Sequence, residues 1–138
     1  MNRTVAMLAI TLATGIAGGL LASRVLIAKQ PVVTRTLLQQ ADLEGVAGRQ
    51  VAMYTAQVVP GAASGRHYNS GPEFVYVLQG SLTFEFEGHA PVTVKVGESE
   101  YVPAKNIHIV KNASATEPAK SVVFWVLEKG QPFSIPVK

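Results

Sequence analysis

The chain of 138 residues contains no cysteine. This absence excludes a disulfide framework, a thiolate metal site and a cysteine nucleophile. It does not fix the cellular compartment, because a domain without disulfides works on either side of a membrane. The length favours a single domain.

Acidic residues are missing from the first part of the chain. None occurs before Asp42, whereas Arg3, Arg24, Lys29 and Arg35 all precede it. From residue 36 onward, eight basic side chains stand against nine acidic ones, so the formal charge of +3 arises in the N-terminal segment. The remaining chain has no basic stripe, which argues against a nucleic-acid partner.

The stretch from Thr4 to Ser23 has about 20 residues and no charge. As a helix it is long enough to cross a hydrocarbon layer of about 30 Å. Residues 1–28 are therefore predicted to form an apolar helix that is either an uncut membrane anchor or a signal peptide cut near Gly19. The basic start predicts an extracytoplasmic body, in the periplasm or anchored facing it. The basic residues that follow the segment argue for the opposite orientation.

Long helical patterns are also missing after residue 50. Residues 29–49 are interpreted as a connector, in which "LLQQADLEGVAG" contains helix formers and is broken by Gly45 and Gly48. Residues 50–138 contain seven or eight short β-type runs separated by glycine, proline and asparagine. The predicted class is all-β, a sandwich or barrel.

Two of these runs alternate strictly. In "SLTFEFEG", Leu82, Phe84 and Phe86 share one face, and "PVTVKVG" places three valines opposite Thr93 and Lys95. In a closed barrel alternate residues point inward, so a polar residue on that inner face needs a partner there.

Polar side chains that could hold a metal lie on separate predicted strands. His67 and Asn69 are two residues apart and so project from one face of an extended segment. Glu73 follows a turn-like insertion, and His108 lies on a later strand. Two imidazoles, a carboxylate and an amide oxygen suit iron, manganese, zinc, nickel or copper. Each residue alone is more often a surface or core group than a ligand.

The spacing of the whole set is more specific. "GAASGRHYNSGPEFVYVLQG" resembles the first motif of the cupin family, with Asn69 where a second histidine is usual. "GESEYVPAKNIHIVKN" resembles the second motif, with Lys105 where a glycine is usual. The resemblance extends over roughly residues 50–128.

The resemblance implies a single jelly-roll β-barrel, in the family often dimeric, with one divalent metal (Fe, Mn, Zn or Ni) in its mouth. Carried over by position, His67, Glu73 and His108 are expected ligands, and Asn69 stands at the fourth ligand position. Asn112 is expected to cap a turn rather than to bind metal.

Asn69 leaves three alternatives open. Its neutral amide oxygen is a weak fourth ligand, or the position is open for water or substrate, or the site has lost its metal. Lys105 is expected to be a solvated loop side chain or, less favoured, to attract an anionic substrate.

The cupin resemblance does not choose a reaction. One hypothesis is a metal-dependent enzyme acting on a small molecule, dioxygenase-, isomerase- or lyase-like, with oxidoreductase chemistry favoured. Tyr54, Tyr76 and Tyr101 are candidate proton donors, and none of them is preferred. The alternative is a non-catalytic, membrane-tethered module that binds or senses a small molecule or a metal. A third hypothesis is a structural or assembly partner. The odd-numbered apolar positions of "SVVFWVL" would then face a dimer mate, although a place in the inner core explains them equally well.

Overall fold

A computed structural model describes residues 31–138 of the protein. This part of the chain forms ten strands and no helix. It therefore has no helix long and apolar enough to span a membrane. The apolar helix predicted within residues 1–28, and the anchor or signal it would form, lie outside the described residues.

The ten strands form two antiparallel sheets of five strands each. The first sheet has the order β1-β2-β9-β4-β7, and the second has the order β10-β3-β8-β5-β6. The strands are β1 (Val33–Asp42), β2 (Arg49–Val58), β3 (His67–Asn69), β4 (Glu73–Gln79), β5 (Ser81–Phe86), β6 (Val92–Lys95), β7 (Ser99–Val102), β8 (His108–Asn112), β9 (Ala119–Glu128) and β10 (Ser134–Pro136). The two sheets enclose one apolar core, which confirms the predicted all-β jelly roll.

The sheet begins earlier than the sequence indicates. Residues 33–42, interpreted as part of a connector with helix formers, form β1 and pair with β2 from Val33↔Val58 to Asp42↔Gln50. Long-range pairing overrides the local helix propensity of this stretch, because propensity is only a weak preference. The turn between β1 and β2 contains Gly45 and Gly48, both with positive φ.

The predicted alternation places the core correctly in β5 and only partly in β6. Leu82, Phe84 and Phe86 are all buried. In the second run only Val94 is buried, while Val92 and Val96 are exposed. The reason is that β6 is an edge strand at the end of its sheet, so fewer neighbours cover its side chains.

The run "SVVFWVL" belongs to β9, the central strand of the first sheet. Its odd-numbered positions are Ser121, Val123, Trp125 and Leu127, and all four are buried in the core. Of the two alternatives for these positions, the inner core is therefore the one observed, and contact with a dimer mate is not. The even-numbered positions between them form the outer face of the sheet and are half-buried.

Asn112 ends β8 and ties three segments together. Its amide N–H groups donate to the carbonyls of Val58 (3.1 Å), Val59 (3.3 Å) and Glu117 (2.8 Å). Its side-chain oxygen accepts from the backbone N–H of Ser114 at 2.9 Å. These bonds confirm the predicted capping role and fix the end of the strand that carries His108.

Candidate metal centre

Three strands carry the predicted ligands on the inner side of the barrel, with β3 and β8 adjacent in the second sheet and β4 in the first sheet. His67 and Asn69 lie at the two ends of β3, both buried and with Tyr68 between them facing the other way. Glu73 begins β4, where it pairs with Trp125 on one side and Val102 on the other. His108 begins β8 and lies directly opposite His67 in the sheet. All four predicted residues are at most 7% exposed.

The two histidines form a pair with defined tautomers. Their ring centroids are 4.4 Å apart. The Nδ1 atom of His67 lies 2.7 Å from the Gly65 carbonyl, and that of His108 lies 2.9 Å from the Asn106 carbonyl. Because a carbonyl only accepts, each Nδ1 carries the proton and each Nε2 has a free lone pair. This is the arrangement that orients histidine as a metal ligand.

Asn69 and Glu73 form the second pair. The side-chain amide of Asn69 donates through Nδ2 to the carboxylate of Glu73. The backbone carbonyl of Asn69 also accepts from the N–H of Lys105 at 2.9 Å, which ties β3 to the turn before β8. The two predicted motifs are therefore joined at the site itself.

Three polar atoms in this region are buried without a hydrogen-bond partner in the described part of the chain. They are the Nε2 of His108, the Oδ1 of Asn69 and the Nε1 of Trp125. An unsatisfied buried acceptor costs about 1–3 kcal/mol, so groups of this kind require an explanation. The His108 and Asn69 atoms are electron-pair donors, and a bound cation would satisfy both, whereas the indole N–H of Trp125 is a hydrogen-bond donor and needs an acceptor.

Burial governs the ionisation of the site. Burial raises the pKa of Glu73 to about 7, although the positive charge of Arg35 and the hydrogen bond from Asn69 pull it down. Burial lowers the pKa of His108 to about 4, partly offset by its bond to the Asn106 carbonyl. The pKa of His67 is also lowered, mainly by burial. Both imidazoles are neutral at pH 7, as metal ligation requires.

Two cavities adjoin these side chains. An inner cavity of about 30 Å³ is lined by Glu73 together with apolar core residues and Arg35. It has room for one water-sized group. An outer pocket of about 360 Å³ opens beside His67 and is large enough for a small molecule.

The structure brings the predicted ligands together as two pairs. Among residues 31–138, no three His, Asp or Glu side chains are placed so that they could jointly hold a metal ion. The ligand set His67, Asn69, Glu73 and His108 therefore stays a prediction. The donor types and free lone pairs fit a divalent ion.

The three candidate tyrosines and Lys105 differ in how exposed they are. Tyr54 is buried on the inner face of β2, whereas Tyr76 and Tyr101 are exposed on the outer face of the first sheet. Lys105 is exposed, as expected for a solvated loop residue. Its φ of 62° is the conformation that the usual glycine adopts easily.

Sequence reasoning did not identify Arg35, Trp125 or Ser64 as site residues. The Cζ of Arg35 lies 5.8 Å from the centre of the Trp125 ring, next to Glu73. Ser64 accepts from the backbone N–H of Val110 at 2.9 Å and lies 3.5 Å from Nδ1 of His67. The only sequence signal for Arg35 was its place among the β-branched residues of "VVTRT".

Comparison with known structures supports the fold. The protein is similar to the DMSP lyase DddQ from Ruegeria pomeroyi, with 19% identity and a TM-score of 0.60 over 76% of this chain and 51% of that chain. It is similar to an oxalate oxidase in complex with the substrate analogue glycolate, with 21% identity and a TM-score of 0.60 over 80% and 57% of the two chains. A cupin-like protein from Thermotoga maritima gives 21% identity and a TM-score of 0.60 over 76% and 75%.

These similarities show the fold alone, because the identities are low. The chain spans about half the length of the lyase. A sequence search against curated proteins finds no match. The model of the cupin domain family matches residues 54–127, more than half of the chain. The match covers β3, β4 and β8, which carry the two motifs and the predicted ligands, and the protein therefore belongs to the cupin domain family.

Proposed function

We propose that the protein is a metal-dependent enzyme that acts on a small molecule, with oxidoreductase chemistry favoured over lyase or isomerase chemistry. His67, Glu73 and His108 would hold one divalent ion, with Asn69 as a weak fourth ligand through Oδ1. Iron, manganese, zinc and nickel all suit this donor set. Two of the similar structures are a lyase and an oxidase, which supports an enzymatic role for this fold.

The observation that carries the proposal is the state of the two imidazoles. Each Nδ1 is bonded to a backbone carbonyl, and the Nε2 of His108 is buried without a partner in residues 31–138. A histidine kept only for packing would pair that nitrogen, since an orphaned buried acceptor is costly.

A divalent ion with an open coordination position supplies Lewis-acid polarisation of a substrate oxygen, or activation of water or dioxygen. The chain's own contribution is to orient the imidazoles through the Gly65 and Asn106 carbonyls and to exclude bulk water from Glu73, which is 7% exposed. The outer pocket beside His67 gives a small molecule access to this region.

Elemental analysis of the full-length protein tests the proposal. We expect close to one divalent ion per chain after incubation with iron, manganese, nickel or zinc. In His108→Gln the bound metal is expected to fall by about tenfold or more, since even weaker perturbations of a ligand cost 10–100-fold in affinity.

The matched control is His89→Gln, because His89 is an exposed histidine at a hairpin tip, is not a predicted ligand and makes no hydrogen bond through its side chain within residues 31–138. It should retain wild-type metal content. The absence of bound metal with all four ions, or equal retention in His108→Gln, would refute the proposal.

A second candidate is a non-catalytic binding or sensing module. It is favoured by one observation: the Asn69 amide donates to Glu73, which leaves that carboxylate engaged with a neighbour rather than free. A metal-free but ligand-binding protein in the same assays would support this candidate instead.

We also propose that the protein forms a homodimer through the outer face of its first sheet. Met53, Phe124, Phe74 and Tyr101 lie side by side across four strands on this face. Three of them are at least 36% exposed, and the row carries no charge. A two-fold association covers the same apolar row on both copies. Light scattering of Phe74→Glu should then show a monomer where the wild type is a dimer.

For residues 1–28 we propose a membrane anchor or signal that places the barrel outside the cytoplasm. The support is the charge-free stretch Thr4–Ser23 behind the basic start. Fusion of a reporter enzyme that folds only outside the cytoplasm to the C-terminus tests this orientation, and a silent reporter would contradict it.

A further inference from the structure

Arg35 is an exposed residue of the edge strand β1 that lines the mouth of the barrel. It lies directly opposite Ala56, whose side chain is buried in the core, and directly opposed residues of antiparallel strands share a face. Beyond Ala56 the next strand has Ser121. These small neighbours leave space for the long arginine side chain, whose head reaches the face of Trp125.

The guanidinium of Arg35 has no ion pair and no hydrogen bond with any other described residue. Each of the four ion pairs within residues 31–138 involves another basic side chain. Arg35 nevertheless lines both the inner cavity next to Glu73 and the outer pocket next to His67. It therefore stands at the passage between the pocket and the predicted metal ligands.

The charged side chains that line the outer pocket are all positive. Its polar side chains are Arg35, Ser64, Arg66, His67 and Ser134, and no acidic residue lines it. Arg66 is held outward by Glu87 and by the carbonyl of Lys138. Arg35 is thus the one arginine of the pocket with all its donors free among the described residues.

We propose that Arg35 binds a small oxyanion in the outer pocket, and that the protein's substrate is a small molecule bearing a carboxylate or a phosphate. The planar guanidinium donates two parallel N–H groups, which match the two oxygens of such an anion. The Trp125 ring, with its centre 5.8 Å from Cζ, is within the range of a cation–π contact with the guanidinium.

The positive charge of Arg35 reaches the site residues themselves. It lowers the pKa of His67 in the same direction as burial does. It opposes the larger raising effect of burial on the pKa values of Glu73 and Tyr54. An anion bound at Arg35 would therefore lie next to the predicted ligands. The choice of substrate class rests on the proposed enzymatic function, whereas anion binding by Arg35 does not require a metal.

Trp125 provides a direct signal, because it is the only tryptophan of the chain. The full-length protein, treated with a chelator, is titrated at constant ionic strength with acetate, succinate and inorganic phosphate, and with acetamide as a neutral analogue. We expect a saturable change in tryptophan fluorescence with at least one anion and none with acetamide. Comparison of the carboxylates with phosphate identifies the class of anion.

Variants assign the signal to the side chain. Arg35→Gln should weaken binding by about tenfold or more, and Arg35→Lys should fall between, since it keeps the charge but loses the planar fork. Arg49→Gln is the matched control, because Arg49 lies at the opposite end of β2 and pairs with Glu128. It should bind anions like the wild type.

Wild-type anion affinity in Arg35→Gln, or no saturable response to any anion, would overturn the proposal. Metal content is measured separately, on protein of the same preparation that is incubated with each of the four divalent ions instead of the chelator. Arginine-dependent anion binding without any bound metal would refute the enzyme proposal and leave the anion site standing. Bound metal with no anion response would refute the anion site and leave the enzyme proposal standing.

Discussion

The side-chain amide of Asn69 donates to the carboxylate of Glu73, and both residues are buried inside the barrel. This pair stands where the cupin motif usually has a histidine and a glutamate. The amide orients the carboxylate and leaves its own oxygen without a partner among the described residues. The substitution thus exchanges a strong nitrogen ligand for a group that is both a positioning donor and a weak oxygen ligand.

Replacement of Asn69 by histidine should tighten metal binding. An imidazole nitrogen is a better donor to iron, nickel or zinc than a neutral amide oxygen, and a gain of about 10–100-fold in affinity is expected. Competition with a chelator of known affinity measures it. Asn69→Ala serves as the control and should bind metal no more tightly than the wild type. Equal metal retention in Asn69→His and the wild type would contradict the prediction.

Replacement of Glu73 by glutamine should change how stability depends on pH. Its pKa is raised from 4.5 to about 7 by burial, so the folded state holds this proton more tightly than the unfolded state. The carboxyl therefore destabilises the metal-free protein progressively as pH rises from about 4.5 to about 7, by up to about 3 kcal/mol. The stability advantage of Glu73→Gln over the wild type should grow across that window and be constant above it.

The ionisation of His108 changes stability with pH in the opposite direction to that of Glu73. The difference in the free energy of unfolding between Glu73→Gln and the wild type removes this contribution, because both proteins contain His108. Its pKa is lowered to about 4, so both proteins lose stability as pH falls from 6.5 to about 4. Chemical denaturation at several pH values measures the difference. Glu44→Gln, at an exposed position, is the control. A pH-independent difference between Glu73→Gln and the wild type would show that the carboxyl is not tuned by burial.

Replacement of Asn112 by alanine should destabilise the barrel. The variant loses four hydrogen bonds and leaves the Val58 and Glu117 carbonyls without the side chain that bonds them. We expect a loss of about 2–4 kcal/mol in the free energy of unfolding. Asn106→Ala should cost much less, because the Asn106 side chain makes no hydrogen bond within residues 31–138. Equal losses in the two variants would be inconsistent with the Asn112 side chain tying these segments together.

Replacement of Lys105 by glycine should stabilise the protein or leave it unchanged. The φ of 62° costs a lysine side chain about 1 kcal/mol, and glycine removes that cost while adding flexibility to the unfolded chain. The reverse change, Gly97→Ala, should destabilise by a similar amount. Gly97 has a φ of +83° with nothing within 4 Å of an added Cβ. The alanine methyl group therefore meets no neighbour, and the cost comes only from the left-handed backbone conformation. Thermal unfolding compares the two. A clear loss of stability in Lys105→Gly would show that the positive φ of Lys105 does not destabilise the folded protein.

Much of the fold was predictable because its signals are local. Alternation over Leu82, Phe84 and Phe86 depends on the strand geometry alone, whereas motif spacing put His67 and His108 on separate strands without giving their register. The strand β1 was not predicted, because its residues favour a helix in isolation and only the pairing with β2 makes them extended. Exposure of Val92 and Val96 likewise depends on the position of β6 at a sheet edge.

The candidate site was predictable in residue type and less so in arrangement. The sequence indicated the four candidate side chains, which the structure places as two pairs, but not that Asn69 donates to Glu73 or that each Nδ1 is bonded to a backbone carbonyl. Arg35 was missed because it lies outside both motifs. Its place in the barrel mouth depends on its register against Ala56, a contact between residues 21 positions apart.

The shortest strands of the barrel have a practical consequence for anyone handling the protein. His67 belongs to β3, which pairs with β8 only through His67↔His108 but with β10 through three residues ending at Pro136. The N–H of Val137 also bonds the Arg66 carbonyl at 2.9 Å. Proteolytic trimming of the last five residues would therefore remove β10 and the main partner of the strand that carries a predicted ligand.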